Sequence, residues 1–343
     1  MAENLVCVKA DTKKVEMRRM PLAPLEPGQV LLKMRLSTIC GTDMHILDDL
    51  PLPAGTPMGH EAVGEVADAG EGVTSFKQGD RVIASCLYGC GTCPRCQEGT
   101  PQICERFGAP FNLLFGCQGQ YYTVQNAELN VARIPDDLDD EAALFATDVM
   151  STGFAAIENA DLRFGDSVAI FAQGPVGLCV TAAARARGAG LVIAVESVPA
   201  RVAMAKRLGA DPVLEPARAV DEILTLTGGK GVDVAVEALG HQTTLESAMR
   251  VTRFGGTVSS VGVYSAFPTV AIPTDGTFLH RRFVTTLCPT GSNRLRRMMD
   301  VLHYGKLDLR PLLTHHMKLA DTPQAYDLFR SRKDGVIKIA IRP

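Results

Sequence analysis

The sequence contains no tryptophan and only 6 tyrosines among its 343 residues, so few aromatic side chains are available to stack against a sugar ring. It has no run of five like charges, and its 35 basic and 38 acidic residues give a formal net charge of −3. This balance provides no electrostatic footprint for nucleic acid or for an anionic membrane surface. The composition therefore favours a small-molecule partner.

Long apolar stretches are also missing. No segment approaches the about 18 residues that a membrane helix needs, and the opening residues MAENLVCVKADTKK mix acid, amide and base where a secretory signal has an apolar core. We therefore expect no membrane association and a cytoplasmic location. In a reducing compartment, the 10 cysteines are expected to be thiols or metal ligands rather than disulfides.

The length exceeds what one hydrophobic core usually organises, and 46% apolar with 21% charged residues is the composition of a globular chain. Up to about residue 135, short strand patterns are separated by glycine and proline turns, which indicates a β-rich segment. From residue 139, strand and helix patterns alternate, and about six strands predict an α/β fold with a doubly wound (Rossmann) parallel sheet. The last residues, ending in the strand VIKIAI, are expected to return to the first domain. The predicted limits are 1–150, 151–290 and 291–343.

A glycine motif follows the first strand of the alternating region. The strand VAIFA ends at Ala172, and Gly174, Pro175, Val176 and Gly177 open the next helix, which makes a GxGxxG motif with alanine in the first position. Gly174 lets the backbone approach a pyrophosphate, and Gly177 lets the helix pack closely on the strand. The alternative is an ordinary strand-to-helix turn.

An acid at the end of the second strand completes this motif. Glu196 lies where a carboxylate accepts hydrogen bonds from the adenosine ribose and repels a 2′-phosphate, which predicts NAD rather than NADP. Glu196 could instead be a solvated strand end. Arg201 is a candidate cofactor residue as well, because its guanidinium could cover the adenosine or accept a phosphate.

Four cysteines form the pattern CxxCxxCx7C, at Cys90, Cys93, Cys96 and Cys104, with glycine and proline between them. Four thiolates on a tetrahedron are typical of structural zinc, which leaves no coordination position open for chemistry. An iron–sulfur cluster is the alternative, but no redox motif lies nearby. The remaining cysteines other than Cys40 are expected to be small buried hydrophobic residues; they are Cys7, Cys86, Cys117, Cys179 and Cys288.

The segments ICGTDMH and GHEAVGEV carry Cys40, and His60 followed by Glu61. By spacing alone, a lone cysteine and a lone histidine are more often core residues than metal ligands. Together with the following QGD, the cysteine tetrad and the GPVG turn, however, these motifs resemble zinc-dependent medium-chain alcohol dehydrogenases over essentially the whole chain. The resemblance implies a GroES-like β-rich catalytic domain beside the Rossmann domain.

The resemblance implies that Cys40 and His60 are ligands of a catalytic zinc and that Glu61 can approach the metal. Asp148, in FATDVMSTGF, resembles the third ligand of secondary alcohol dehydrogenases of bacterial type. An N-cap for a helix starting at Val149 is the alternative for Asp148. That branch often lacks the cysteine tetrad, which this chain keeps.

Further roles are implied by the same resemblance. Thr42 and His45 would relay the proton of the alcohol, Asp43 would orient the ligand histidine, and Lys338 would lie near the cofactor pyrophosphate. Structural alternatives are helix caps for Thr42 and Asp43, a surface position for His45 and a strand-edge position for Lys338.

These expectations describe a reversible, NAD-dependent oxidation of an alcohol, with one catalytic and one structural zinc ion per chain. The apolar segment 108–119 favours an apolar secondary alcohol, although packing against another subunit is an equal interpretation. A polyol or L-threonine dehydrogenase is the second candidate, and a non-enzymatic, dinucleotide-regulated relative is the third. Family analogy implies a homo-oligomer, with a tetramer favoured over a dimer.

Overall fold

The computed structural model describes residues 3–106, 112–265, 267–305 and 307–343. The chain divides into two compact units, a first unit of Met1–Ser151 with Cys288–Pro343 and a second unit of Thr152–Leu287. Within the described ranges, no helix has both the length and the apolar character needed to cross a membrane.

The N-terminal part of the first unit consists mainly of antiparallel strands. Its elements are β1 (Glu3–Asp11), β2 (Lys14–Pro21), β3 (Val30–Thr38), α1 (Gly41–Asp48), β4 (Ala62–Ala69), β5 (Arg81–Ala84), α2 (Pro94–Gln97), β6 (Tyr121–Val124), α3 (Ala127–Asn130), β7 (Val131–Arg133) and α4 (Asp140–Leu144). The β-rich segment predicted up to about residue 135 is confirmed. The hairpin β1–β2 was not predicted. Charged residues are so frequent in β2 that the alternation of apolar and polar residues expected of a strand is hard to detect.

The second unit alternates strands and helices. Its elements are α5 (Val149–Asn159), which begins in the first unit, β8 (Ser167–Phe171), α6 (Pro175–Ala186), β9 (Leu191–Val195), α7 (Pro199–Arg207), β10 (Val213–Leu214), α8 (Ala219–Leu226), β11 (Val232–Glu237), α9 (Gln242–Val251), β12 (Thr252–Ser260) and β13 (Arg282–Thr285). The six strands are parallel, in the order β10-β9-β8-β11-β12-β13. The predicted doubly wound sheet is therefore confirmed.

The strand order of this sheet identifies its ligand-binding edge. The chain builds outward from β8 to β9 and β10, then returns to place β11 on the other side of β8. In such sheets, ligands bind outside the carboxyl ends of the strands at the point where the order reverses. The glycine motif follows β8 and therefore lies at this point.

The return segment completes the sheet of the first unit. Its elements are α10 (Ser292–His303), β14 (Leu313–Lys318), α11 (Thr322–Ser331) and β15 (Lys338–Arg342). The sheet has the order β14-β15-β3-β4-β5-β7, and β6 also pairs with β3. Because β15 lies between β14 and β3, the strand-edge interpretation of Lys338 is wrong.

The apolar segment 108–119 was expected to form a binding or subunit-contact surface, and the structure differs from this expectation. Its residues 108–111 lie outside the described part of the chain. Of the rest, Leu113, Leu114 and Cys117 are buried in the core of the first unit, and Phe115 packs against that core. A bridge between Leu113 and Leu87 fixes this position. Core packing inside the first unit therefore accounts for the apolar character of residues 112–119.

Candidate functional site

The first unit brings four potential metal ligands together. Cys40 follows β3 and is the N-cap residue of α1, while His60 and Glu61 directly precede β4, the neighbour of β3 in the sheet. Asp148 directly precedes α5. Their donor atoms all lie within 4.8 Å of one another, and all four residues are buried.

The Asp148 carboxylate faces the other donors. Its Oδ2 lies 3.7 Å from Sγ of Cys40 and 3.3 Å from Nε2 of His60. The predicted ligand set of Cys40, His60 and Asp148 thus shares one centre, even though Asp148 is distant from the other two in sequence.

Asp43 fills both roles considered for it. One carboxylate oxygen lies 3.1 Å from Nδ1 of His60, which directs the opposite ring nitrogen, Nε2, toward the cluster. The other oxygen accepts a hydrogen bond of 2.9 Å from the backbone N–H of Cys40 and so caps α1. One buried side chain therefore fixes the orientation of two predicted ligands.

The electrostatics of the cluster call for a cation. Burial, followed by the nearby Glu61 and Asp148 carboxylates, raises the pKa of Cys40 to about 11. Burial lowers the pKa of His60, but Asp43 and Asp148 outweigh it and raise that pKa well above its ordinary value. Sulfur, imidazole and carboxylate donors converging in a buried site are typical zinc ligands, and a divalent ion would neutralise the acidic groups. The residues present therefore fit zinc.

Lys338 lies beside this cluster. Its Nζ donates a hydrogen bond of 2.9 Å to Oε1 of Glu61, and neither side chain is exposed. Glu61 and the carbonyl oxygen of Ile39 thus hold the buried ammonium group of Lys338, and its role near a pyrophosphate stays a prediction. Oε2 of Glu61 has no hydrogen-bond partner among the described residues, which leaves this oxygen available to a metal.

The two predicted relay residues differ in their surroundings. Oγ1 of Thr42 lies 3.8 Å from Sγ of Cys40, so this hydroxyl is adjacent to the cluster. His45 is half-buried on the same helix, and its Nδ1 lies 3.2 Å from Oδ2 of Asp49. Thr42 therefore adjoins the candidate site, whereas His45 pairs with an acid at the end of α1.

The second cysteine group converges as predicted. The sulfurs of Cys90 and Cys96 are 3.9 Å apart, and those of Cys93 and Cys104 are 3.8 Å apart. Two sulfurs at about 2.3 Å from one tetrahedral zinc ion would lie about 3.8 Å apart. Hydrogen bonds from the Thr92 hydroxyl and from nearby backbone N–H groups lower the pKa of Cys90 to about 5, which favours its thiolate.

In the second unit, the glycine turn has the close approach that the motif requires. A Cβ atom on Gly177 would lie 2.0 Å from the carbonyl oxygen of Ala172, whereas one on Gly174 would meet nothing within 4 Å. Gly174 is the N-cap residue of α6, and Pro175 is its first residue. Ala172, in the first position of the motif, adopts a φ of +74°, a conformation that favours glycine.

The carboxylate of Glu196 ties this turn to the loop after β9. It accepts hydrogen bonds from the backbone N–H groups of Gln173 at 3.0 Å, Ser197 at 2.8 Å and Val198 at 3.0 Å. A guanidinium nitrogen of Arg201 lies 3.9 Å away. Glu196 is buried, so its interpretation as a solvated strand end is wrong.

The second unit contains a buried acid that was not predicted from the sequence. Glu237, at the carboxyl end of β11, accepts hydrogen bonds of 2.8 Å from the backbone N–H groups of Leu239 and Gly240. It also accepts hydrogen bonds from the hydroxyls of Thr244 and Tyr264. An acid that ends an apolar parallel strand was the available signal.

Two further cysteines were interpreted only as small buried residues. Cys86 and Cys288 are buried, as expected, but their sulfurs also lie close to each other and to the Asp148 carboxylate. Their proximity could not be predicted from a sequence motif, because Cys86 follows β5 and Cys288 opens the return segment.

Comparison with known proteins agrees with this geometry. The family description "Alcohol dehydrogenase GroES-like domain" matches residues 26–136, and "Zinc-binding dehydrogenase" matches residues 175–303. An alcohol dehydrogenase from Cupriavidus necator is 41% identical over 96% of each chain. The chain belongs to the zinc-dependent medium-chain alcohol dehydrogenase family. The members of this family are oxidoreductases that use zinc and a nicotinamide cofactor, as both candidate sites require.

More distant relatives in this family cover the chain almost as fully. The solved structure of zinc dependent alcohol dehydrogenase 2 from Streptococcus pneumonia superimposes with a TM-score of 0.92 at 31% identity, covering 99% of this chain and 98% of that one. An NADP-dependent isopropanol dehydrogenase from Thermoanaerobacter brockii is 33% identical over 87% of this chain and 88% of its own length. The predicted GroES-like and Rossmann architecture is therefore confirmed.

Two cysteine substitutions should separate the two metal clusters. We expect the purified protein to contain two zinc ions per chain, because each cluster supplies a complete donor set. Cys40→Ser should remove one ion and abolish alcohol oxidation with little change in melting temperature. Cys96→Ser should remove the other ion and lower the melting temperature. Elemental analysis and calorimetry check both, and loss of the same ion in both variants would contradict the assignment.

Two glycine substitutions should distinguish a glycine that is needed for packing of the turn from one that is needed for dinucleotide binding. Gly177→Ala forces a Cβ against a backbone carbonyl and should destabilise the protein by about 1–3 kcal/mol. Gly174→Ala meets open space and should leave the melting temperature unchanged while weakening dinucleotide binding. Calorimetric unfolding and titration with NAD measure the two effects. Equal dinucleotide affinity in Gly174→Ala and the unaltered protein would remove this turn from the cofactor site.

Proposed function

We propose that this protein oxidises an apolar secondary alcohol to the ketone with NAD, and catalyses the reverse reduction. The observation that carries the proposal is the convergence of the buried donors of Cys40, His60 and Asp148, beside a Glu61 oxygen that has no hydrogen-bond partner in the described chain. Three protein ligands and an open position are typical of catalytic zinc.

Each ligand has a defined role in this proposal. Cys40, His60 and Asp148 would hold the catalytic ion, and Asp43 would keep the His60 ring in place through its Nδ1. When bound, zinc lowers the pKa of the alcohol hydroxyl and the nicotinamide ring accepts the hydride. The four clustered cysteines would hold the second ion, which stabilises the fold and takes no part in the reaction.

The proton released from the alcohol must be transferred to solvent. Thr42 is placed to accept it, because its hydroxyl lies beside the sulfur of Cys40. His45, half-buried and next to Asp49, is the residue on the same helix that can exchange a proton with solvent. Oxidation then releases one proton and transfers one hydride, and the alcohol becomes the ketone.

The second unit supplies the cofactor site in this proposal. The turn from Gly174 to Gly177 would receive the pyrophosphate, with Pro175 and Val176 in the first turn of α6. The buried Glu196 carboxylate supports NAD because it would repel a 2′-phosphate, and it lies close enough to Arg201 to attract that guanidinium. NADP is the second candidate, since relatives from Thermoanaerobacter brockii and Clostridium beijerinckii are named NADP-dependent isopropanol dehydrogenases.

Relatives also give two candidate substrate classes. Isopropanol, in the names of two relatives, is an apolar secondary alcohol, and the scarcity of aromatic side chains argues against a polyol. The second class is polar, because an L-threonine 3-dehydrogenase from Bacillus velezensis is 30% identical over 94% of each chain.

Turnover of cyclohexanol, sorbitol and L-threonine, each with NAD and with NADP, tests this proposal. We expect kcat/KM to be at least about tenfold higher for cyclohexanol than for either polar substrate, and higher with NAD than with NADP. His60→Ala serves as the control, because it keeps the dinucleotide unit intact and should lose all three activities. A preference for sorbitol or threonine would contradict the proposed substrate class, and a preference for NADP would contradict the role of Glu196.

We further propose that the protein is a homo-oligomer, with a tetramer favoured over a dimer, assembled in part through the edge of the second unit's sheet. The strand β13 ends the sheet order and pairs with β12 on one side. Phe283 on this strand is 45% exposed, and Leu279 and Phe278 before it are 60% and 53% exposed. An open strand edge with apolar side chains is a template for pairing with a second copy.

A lysine at this edge should separate the copies. Phe283→Lys places a charge where the second copy would pack, so the molar mass measured by light scattering should fall relative to the unaltered protein. Phe164→Lys is the matched control, because Phe164 is 91% exposed elsewhere in the second unit. An unchanged mass for Phe283→Lys would exclude this edge from the interface.

A cytoplasmic location is part of the same proposal. None of the 10 cysteines forms a disulfide in the structure. Clusters of metal-binding thiols suit a reducing compartment, where disulfides do not form.

A further inference from the structure

Two thiols that the proposed reaction does not use lie against the catalytic cluster. Cys86 comes shortly after β5, and Cys288 opens the return segment of the first unit. Their sulfurs and a carboxylate oxygen of Asp148 lie within 4.8 Å of one another, and all three residues are buried. The Cys288 thiol also lies 3.7 Å from the backbone oxygen of Asp148.

This spacing suits a metal ion. Two sulfurs that each bind one ion at about 2.3 Å can be at most about 4.6 Å apart, so only a small adjustment would let both bind. Sulfur donors select soft, thiophilic ions over hard ions such as magnesium or calcium. Asp148 adds an oxygen donor, which gives three protein ligands.

We propose that Cys86, Cys288 and Asp148 form a second metal site that binds a thiophilic divalent ion beside the catalytic zinc and thereby inhibits the enzyme. Asp148 would be a ligand common to both sites. The observation is that Asp148 belongs to two groups of buried donors, one with Cys40, His60 and Glu61 and the other with Cys86 and Cys288.

The charges in such a pair of sites balance. Binding converts two thiols to thiolates and releases two protons to the solvent, with no change in oxidation state. These two thiolates offset the incoming divalent ion. The Cys40 thiolate and the Asp148 carboxylate offset the catalytic ion. Glu61 already pairs with Lys338 and adds no net charge. The second cation and its two thiolates therefore add no net charge to the buried site.

Inhibition follows from the shared ligand. An ion bound to Cys86 and Cys288 would compete for the Asp148 carboxylate, which the catalytic ion needs as its third ligand. It also occupies space directly beside the catalytic donors. The inhibition rests on the proposed alcohol dehydrogenase function, whereas the binding of the extra ion does not.

Cadmium is a suitable probe, because it is divalent and thiophilic. Full-length protein loaded with zinc is treated with a small excess of Cd2+, desalted and analysed for both metals. We expect one cadmium to be retained in addition to two zinc ions, together with a new sulfur-to-metal charge-transfer absorption in the ultraviolet. Alcohol oxidation should fall by about tenfold or more, as for disturbed metal ligands in general.

Separate Cys86→Ser and Cys288→Ser variants identify the site. Each should keep two zinc ions, retain no extra cadmium, and resist inhibition relative to its own uninhibited rate. Cys179→Ser is the matched control, because Cys179 is equally buried in the second unit and should respond like the unaltered protein. Melting temperatures verify that every variant is folded.

Two results would overturn the proposal. One is cadmium that displaces zinc with the total unchanged at two ions per chain. The other is cadmium uptake by both serine variants equal to that of the unaltered protein. If the protein oxidised none of the tested alcohols, the metal count would still decide whether the second site exists, so failure of this proposal and failure of the proposed function remain distinguishable.

Discussion

The first unit is organised around a concentration of acidic donors in its interior. Cys40, Glu61 and Asp148 lie within hydrogen-bonding or coordination range of one another, with a single histidine among them. Burying such groups costs several kcal/mol each unless a positive charge compensates them. Lys338 compensates one of them, Glu61, and a bound metal ion would compensate the others. Strands β3, β4 and β15 and helices α1 and α5 carry or directly adjoin the residues of this cluster.

Much of the fold and part of the site could be predicted from the sequence, because those signals are local. The four clustered cysteines, the glycine turn and the acid Glu196 each lie on a short segment whose spacing carries its chemistry. The central strands of the parallel sheet were predictable from their buried apolar runs, since β-branched residues occupy half of the positions in β8, β9 and β11.

Other features depend on contacts that no spacing reveals. The ion pair of Lys338 with Glu61 joins residues from opposite ends of the chain, and the pairing of Cys86 with Cys288 arises only when the return segment joins the first unit. Residues 112–119 were expected on the surface because apolar character alone does not distinguish a binding loop from a core segment. The backbone of Ala172 also shows that a position requiring a left-handed conformation can tolerate alanine when the surrounding turn holds it there.

The placement of β15 has a consequence for the order of assembly. This strand pairs with β3 and β14 inside the sheet, and it carries the lysine that neutralises Glu61. The second unit is contiguous in sequence, so its parallel sheet can form while the ribosome is still adding residues, whereas the first unit remains open until the strand at 338–342 emerges. Until that strand emerges, Glu61 would lack its counter-charge, so the parallel sheet can be complete before the surroundings of the metal cluster are.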